Sequence, residues 1–164
     1  MATDPSAPLP SANVRAASYY MARACVACPH CSAAIWLTAL ALPPGHETRD
    51  DDTEDWQPIP ANAFLFYVAA VSATVCRRLR TVAPNLSFVP SDTTGNSYWA
   101  NRCPQCDLLV DDDVLHGEPG IHGFSLCSEA HAASIVLIEV SEPFEALAAG
   151  YTLEPEFFAL MRRA

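Results

Sequence analysis

Cys28-Pro29-His30-Cys31 and Cys103-Pro104-Gln105-Cys106 are the two stretches that decide the fold. Each is a Cys-x-x-Cys turn with proline directly after the first cysteine. That spacing lets two thiolates and the following backbone N–H groups wrap one tetrahedral ion. Together Cys28, Cys31, Cys103 and Cys106 supply four sulfurs, enough to close a structural Zn²⁺ site. Apolar, β-prone segments flank each turn: Cys25-Val26-Ala27 and Ala34-Ile35-Trp36-Leu37 around the first, Tyr98-Trp99-Ala100 and Leu108-Leu109-Val110 around the second.

On Cys28, Pro29, Cys31, Cys103, Pro104 and Cys106 the chain resembles the zinc-ribbon or zinc-knuckle class of small bacterial-type four-cysteine zinc proteins, across the two turns and their immediate flanks. The resemblance implies paired knuckles on a small antiparallel sheet, held by Zn²⁺. A glycine often follows the second cysteine of such knuckles, where this chain has Ser32 and Asp107. Residues 32–102 separate the two turns, so the expectation is a ribbon carrying a folded insert.

Other chemistries can use the same cysteines. Cys28-Pro29-His30-Cys31 is also the active-site tetrapeptide of oxidising thioredoxin-fold proteins, in which a helix N-terminus activates the first thiol and the pair acts as a thiol-disulfide oxidoreductase. The second turn has no part in that mechanism, and the flanks lack its strand and crossover pattern. A disulfide between the turns would need an oxidising compartment. Cys25, Cys28 and Cys31 are equally spaced, so Cys25 could replace Cys28 as a ligand. Pro29 matching Pro104 favours Cys28.

The 164 residues are 51% hydrophobic and 17% charged, which describes a globular chain long enough to bury a core. Nine basic residues face nineteen acidic ones, for a net charge of −10. Nucleic-acid binding needs Lys and Arg clustered against phosphates, so the balance argues for a protein partner and against a nucleic acid. The start of the chain, with Asp4 and prolines at 5, 8 and 10, lacks the basic and apolar pattern of a secretory signal. The apolar runs are too short to span a bilayer. A cytoplasmic protein with reduced thiols and no membrane segment is expected.

Residues 1–13 read as a flexible arm, and residues 14–164 as one α+β domain. Residues 16–24 are open to a helix or a strand. Residues 34–42 read as a strand stopped by Pro43-Pro44-Gly45, with a helix as the alternative, and 46–57 as an acidic, solvated loop. Phe64, Tyr67, Val68, Val71, Val75 and Leu79 recur at three- and four-residue spacing, which predicts a helical insert at about 58–84. Ser72 is placed to cap a second helix there, Arg77, Arg78 and Arg80 fall in its last turn, and Cys76 reads as core.

Leu86–Val89 reads as a strand, and 135–140 as a buried one. Short C-terminal helices are predicted over 128–133, over 142–149 closed by Gly150, and over 154–163. Cys127 reads as a packed thiol.

Four-thiolate zinc is coordinatively closed, so catalysis would have to come from elsewhere, and no nucleophile elbow, phosphate loop or zinc-protease helix is present. The expectation is an intracellular zinc protein acting as an interaction or adaptor module, with no catalytic residues assigned. One enzyme alternative remains: a metal or acid-base site built from His116, Glu118 and His122, whose spacing matches no recognised catalytic pattern.

Overall fold

The segments flanking the first Cys-x-x-Cys turn form the centre of the molecule. The computed structural model describes residues 9–50, 54–90, 97–117, 124, 128–153 and 158–164. Strands β2 (Tyr19–Ala27) and β3 (Ala34–Leu42) form an antiparallel hairpin that pairs Ala27 with Ala34 at its tip and Tyr20 with Ala41 at its base. Because side chains alternate across a strand, Ala22, Ala24, Val26 and Cys28 point to one face with Ile35, Leu37 and Ala39. Tyr19, Met21, Leu40 and Leu42 point to the other. Both faces are covered, which explains why β3 is a continuous apolar run and not an alternating one.

The remaining elements are β1 (Val14–Ala16), β4 (His46–Thr48), β5 (Gln57–Ile59), β6 (Ala63–Val71), α1 (Ala73–Val82), β7 (Leu86–Pro90), β8 (Ser97–Arg102), β9 (Leu109–Val110), α2 (Asp112–Gly117), α3 (Glu129–Ser134), β10 (Val136–Val140), β11 (Phe144–Leu153), a 3-10 turn (Phe158–Leu160) and β12 (Arg162–Arg163). Among the described residues the strands make two sheets. The larger runs β12-β10-β2-β3-β6-β11-β1-β4-β5, and the smaller β7-β8-β9. One core, against α2 and the 3-10 turn, includes Cys28, Cys103, Leu115, Phe124 and Phe158. The other holds α1 through Val75 and Leu79. No helix among the described residues is long and apolar enough to cross a membrane.

This architecture corrects the expected α+β fold. The chain is mostly β, with a nine-stranded sheet and short helices, and not a small sheet bearing a helical insert. Residues 63–71 are strand β6. Their helix-like spacing arises from a bulge opposite Leu147 and Ala148 and from Tyr67 at φ 52, which shift the phase of the side chains part-way along the strand. Only residues 73–82 are helical, starting after Ser72, and only Arg80 of the three arginines is in the last turn.

The predicted helix over 142–149 is likewise part of β11. Phe144, Ala146 and Ala148 are buried at period two, and their pairing with β1 and β6 overrides the helix propensity of Ala, Leu and Glu. Gly150 closes no helix. It lies opposite Phe66, whose ring occupies the space a Cβ would need. In place of a helix over 154–163 the described residues show the 3-10 turn and β12, which pairs in parallel with β10. The expected acidic loop over 46–57 begins and ends in strand, since β4 and the first residue of β5 fall within it.

The predicted strands at 34–42, 86–89 and 135–140 are present, as is a helix capped by Ser128, whose Oγ accepts the His131 N–H. Residues 1–8 of the expected arm and Cys127 lie outside the described residues.

Candidate metal centre

Each Cys-x-x-Cys turn is the tip of a hairpin, one from each sheet. The first spans 28–33 between β2 and β3, and the second spans 103–108 between β8 and β9. Their backbones repeat one another. The Cys28 N–H donates to Ala33 O at 2.8 Å and the Cys103 N–H to Leu108 O at 3.0 Å, while Ser32 and Asp107 donate to Cys28 O and Cys103 O, both at 2.9 Å. Ser32 and Asp107 occupy the left-handed region at φ 66 and 64. That is the conformation for which a knuckle favours glycine, adopted here by two small polar residues.

The two turns face one another. The four Sγ atoms of Cys28, Cys31, Cys103 and Cys106 all lie within 4.8 Å of one another, with Cys28 to Cys106 at 3.8 Å and Cys31 to Cys103 at 3.7 Å. A tetrahedral ion with Zn–S bonds of about 2.3 Å has S···S edges of about 3.8 Å, which these two separations match. The N–H groups of His30 and Gln105 point at Cys28 Sγ and Cys103 Sγ, each at 3.4 Å.

The electrostatics match. Burial alone would push the Cys103 thiol up, but the backbone N–H groups of Cys106 and Gln105 hold it down to about 7. At Cys106 the Leu108 backbone favours the thiolate, yet burial and the neighbouring sulfurs prevail and push it up to about 12. Four thiols so close cannot all ionise without a cation between them. The set fits a soft divalent metal, and among the described residues it is the one group of ligand-type side chains so placed. Cys28 and Cys103 are buried, whereas Cys31 is exposed and Cys106 half-buried.

Strand alternation excludes Cys25 from this group. Cys28 continues the inward series Ala22, Ala24, Val26, while Cys25 is exposed and paired with Trp36. His30 is engaged elsewhere. Its Nε2–H donates to Leu109 O at 3.0 Å, which ties the first knuckle to β9. Arg102 braces the second knuckle by donating to Asp107 O at 2.6 Å.

No family model, curated protein or solved structure matches this chain. Its chemistry is read from its own geometry.

That geometry does not supply the thiol-exchange alternative, because Cys28 and Cys31 lie on a β-hairpin tip and not at a helix N-terminus. Of the three residues in the enzyme alternative, Glu118 and His122 lie outside the described residues. His116, on α2, is stacked against Phe124 at 5.6 Å between ring centroids and also lies near Phe64 and Phe66. Burial holds its imidazole down at about 4, neutral at physiological pH.

Two further residues position the site and escaped sequence reading. The Asn101 side chain joins the two sheets, accepting the Thr38 N–H through Oδ1 and donating through Nδ2 to Thr38 O, each at 2.9 Å. Asp112 is buried and accepts the N–H of Tyr67 at 2.7 Å, which fixes the irregular segment of β6 against α2. A single amide in an apolar strand, and an acidic run directly before a helix, were the available signals.

Proposed function

We propose that Cys28, Cys31, Cys103 and Cys106 hold one structural Zn²⁺ and that the chain is a zinc-stabilised β-sheet protein whose role is to bind another protein. The observation carrying this reading is that the tips of two hairpins from different sheets bring four sulfurs within 4.8 Å of one another. Zn²⁺ there would act as a cross-link between the sheets. Four thiolates leave no open coordination position, so these residues do not activate water or substrate.

The contribution to folding is large. In isolated finger peptides structural zinc is worth about 10–16 kcal/mol, enough to decide whether a three-stranded sheet with few core residues forms at all. The thiols must stay reduced to serve as ligands, which suits a cytoplasmic, reducing compartment. An acidic chain with a closed metal site supports a protein partner over a nucleic acid.

Elemental analysis of protein purified without added zinc, together with titration of accessible thiols, tests the assignment. One zinc per chain with the four knuckle thiols protected is expected. Full reactivity of those thiols in metal-free, folded protein would refute it.

A further inference from the structure

Among the described residues the two sheets end in four outer strands: β12 and β5 on the larger, β7 and β9 on the smaller. An outer strand carries unpaired N–H and C=O groups and is open to pairing with another chain unless it is short, charged or interrupted by proline. Three of the four are protected in these ways. β12 is only Arg162-Arg163, both exposed, β5 has Pro58 at its centre, and β9 is only Leu109-Val110, locked to the knuckle through His30. β7 is different. It runs from Leu86 to Pro90, meets proline only at its last residue, and carries Phe88 with 52% of its surface exposed.

Beside β7 lies an open groove of about 360 Å³ lined by Arg80, Pro84, Leu86, Ser87, Phe88 and Trp99. Phe88 stands opposite Trp99 in the ladder, with ring centroids 5.9 Å apart, so the two form one aromatic wall. Arg80, exposed in the last turn of α1, also lines the groove. Arg78 is held by Glu142 at 2.9 Å, whereas Arg80 has no ion-pair partner among the described residues. The groove therefore combines an aromatic wall, a cation unpaired among the described residues and a strand edge, on a chain whose net charge is −10.

We propose that β7 is a docking edge for an extended segment of a partner protein, which adds to the small sheet as a fourth strand. Its backbone pairs with β7, alternate apolar side chains enter the groove against Phe88 and Trp99, and a carboxylate of the segment meets Arg80. A second copy of this chain is a poorer occupant. Leu86-Ser87-Phe88-Val89-Pro90 offers no carboxylate to Arg80, and two copies carry the same net charge. The inference names the surface for the protein partner proposed above. It is independent of the zinc assignment, which metal content measured on the same samples tests separately.

The test is selection of a phage-displayed library of linear peptides on zinc-replete full-length protein, followed by fluorescence anisotropy with the enriched peptides. Expected are sequences with apolar residues at alternate positions and at least one Asp or Glu. Phe88→Ser should weaken them by about tenfold or more, as loss of an aromatic anchor does. Arg80→Glu should weaken them by about threefold and improve binding of the same peptides with lysine in place of the acid, a charge swap that a merely structural role would not produce. Circular dichroism and zinc content of both variants should match the parent.

Failure to enrich any peptide, or binding unaffected by both substitutions, overturns the docking edge. Peptides that bind at another surface leave the partner-binding reading standing while removing β7 from it. A concentration-dependent dimer abolished by Phe88→Ser would assign the edge to a second copy and equally overturn the proposal.

Discussion

The side chain of Asn101 in β8 forms two reciprocal hydrogen bonds with the backbone of Thr38 in β3, both at 2.9 Å and both buried. It does for two separate sheets what a ladder does within one, and it lies two residues before Cys103. Replacing it with alanine leaves the Thr38 N–H and C=O in the interior without partners, at about 1–3 kcal/mol each. Asn101→Ala should therefore lose about 2–4 kcal/mol by urea denaturation and bind zinc more weakly, because the second knuckle is then held less firmly against the first. Unchanged stability would show that water or a backbone shift satisfies Thr38.

The four cysteines proposed as zinc ligands make a sharper contrast. Cys28→Ser, Cys31→Ser, Cys103→Ser and Cys106→Ser should each lower zinc content and give protein that melts early or aggregates, because loss of a thiolate opens the site. Cys25→Ser should keep full zinc and the parental melting temperature, since Cys25 faces away from the four sulfurs. Normal zinc in Cys103→Ser, or zinc loss in Cys25→Ser, would each mean that the ligand set is misassigned.

Asp112 and His116 should give opposing pH dependences. Burial pushes the Asp112 carboxyl up to about 7, against the pull of the Tyr67 N–H and with help from Asp111 and Asp113. The folded state thus keeps a proton that the unfolded chain releases near pH 4, and Asp112's contribution to stability is lost as pH rises from about 4 to about 7. Burial holds His116 down at about 4. The unfolded chain takes up a proton that the folded state refuses, so stability is lost as pH falls from about 6.5 to about 4.

In the parent the two effects largely cancel. Measured relative to the parent, where the shared pH dependence of the thiolates drops out, Asp112→Asn should gain stability as pH rises through this range. His116→Gln should lose it. Each change should be on the order of 3 kcal/mol across the window, read from urea midpoints at fixed zinc. Parallel pH profiles for the parent and both variants would show that neither group is buried in its unfavoured state.

Nucleic-acid binding should be absent. Arg77, Arg78 and Arg80 are the main basic cluster, one member is already occupied by Glu142, and the chain has nineteen acidic residues against nine basic ones. Anisotropy titrations with random duplex DNA and single-stranded RNA at physiological salt should show no submicromolar binding. Salt-sensitive submicromolar binding that disappears when the three arginines are replaced would reverse the choice of partner class.

The sequence by itself determined the local chemistry. Two matched Cys-Pro-x-Cys turns marked Cys28, Cys31, Cys103 and Cys106 as one group, because spacing and flanking β-propensity are properties of a few neighbouring residues, and their sulfurs do come together. Residues 34–42 and 135–140 were legible as strands for the same reason. Tertiary structure decided what those strands join. The bulge opposite Leu147 and Ala148 and the positive φ of Tyr67 disguised β6 as a helix by shifting its side-chain phase, and the Ala-rich β11 is a strand only because β1 and β6 pair with it on either side. Asn101 and Asp112 could not be singled out from sequence, because their partners at Thr38 and Tyr67 are distant in the chain and are brought near only when the sheets pack. Helix and strand propensities differ by at most about 1 kcal/mol per residue for ordinary side chains, so long-range pairing and burial set the outcome wherever the two disagree.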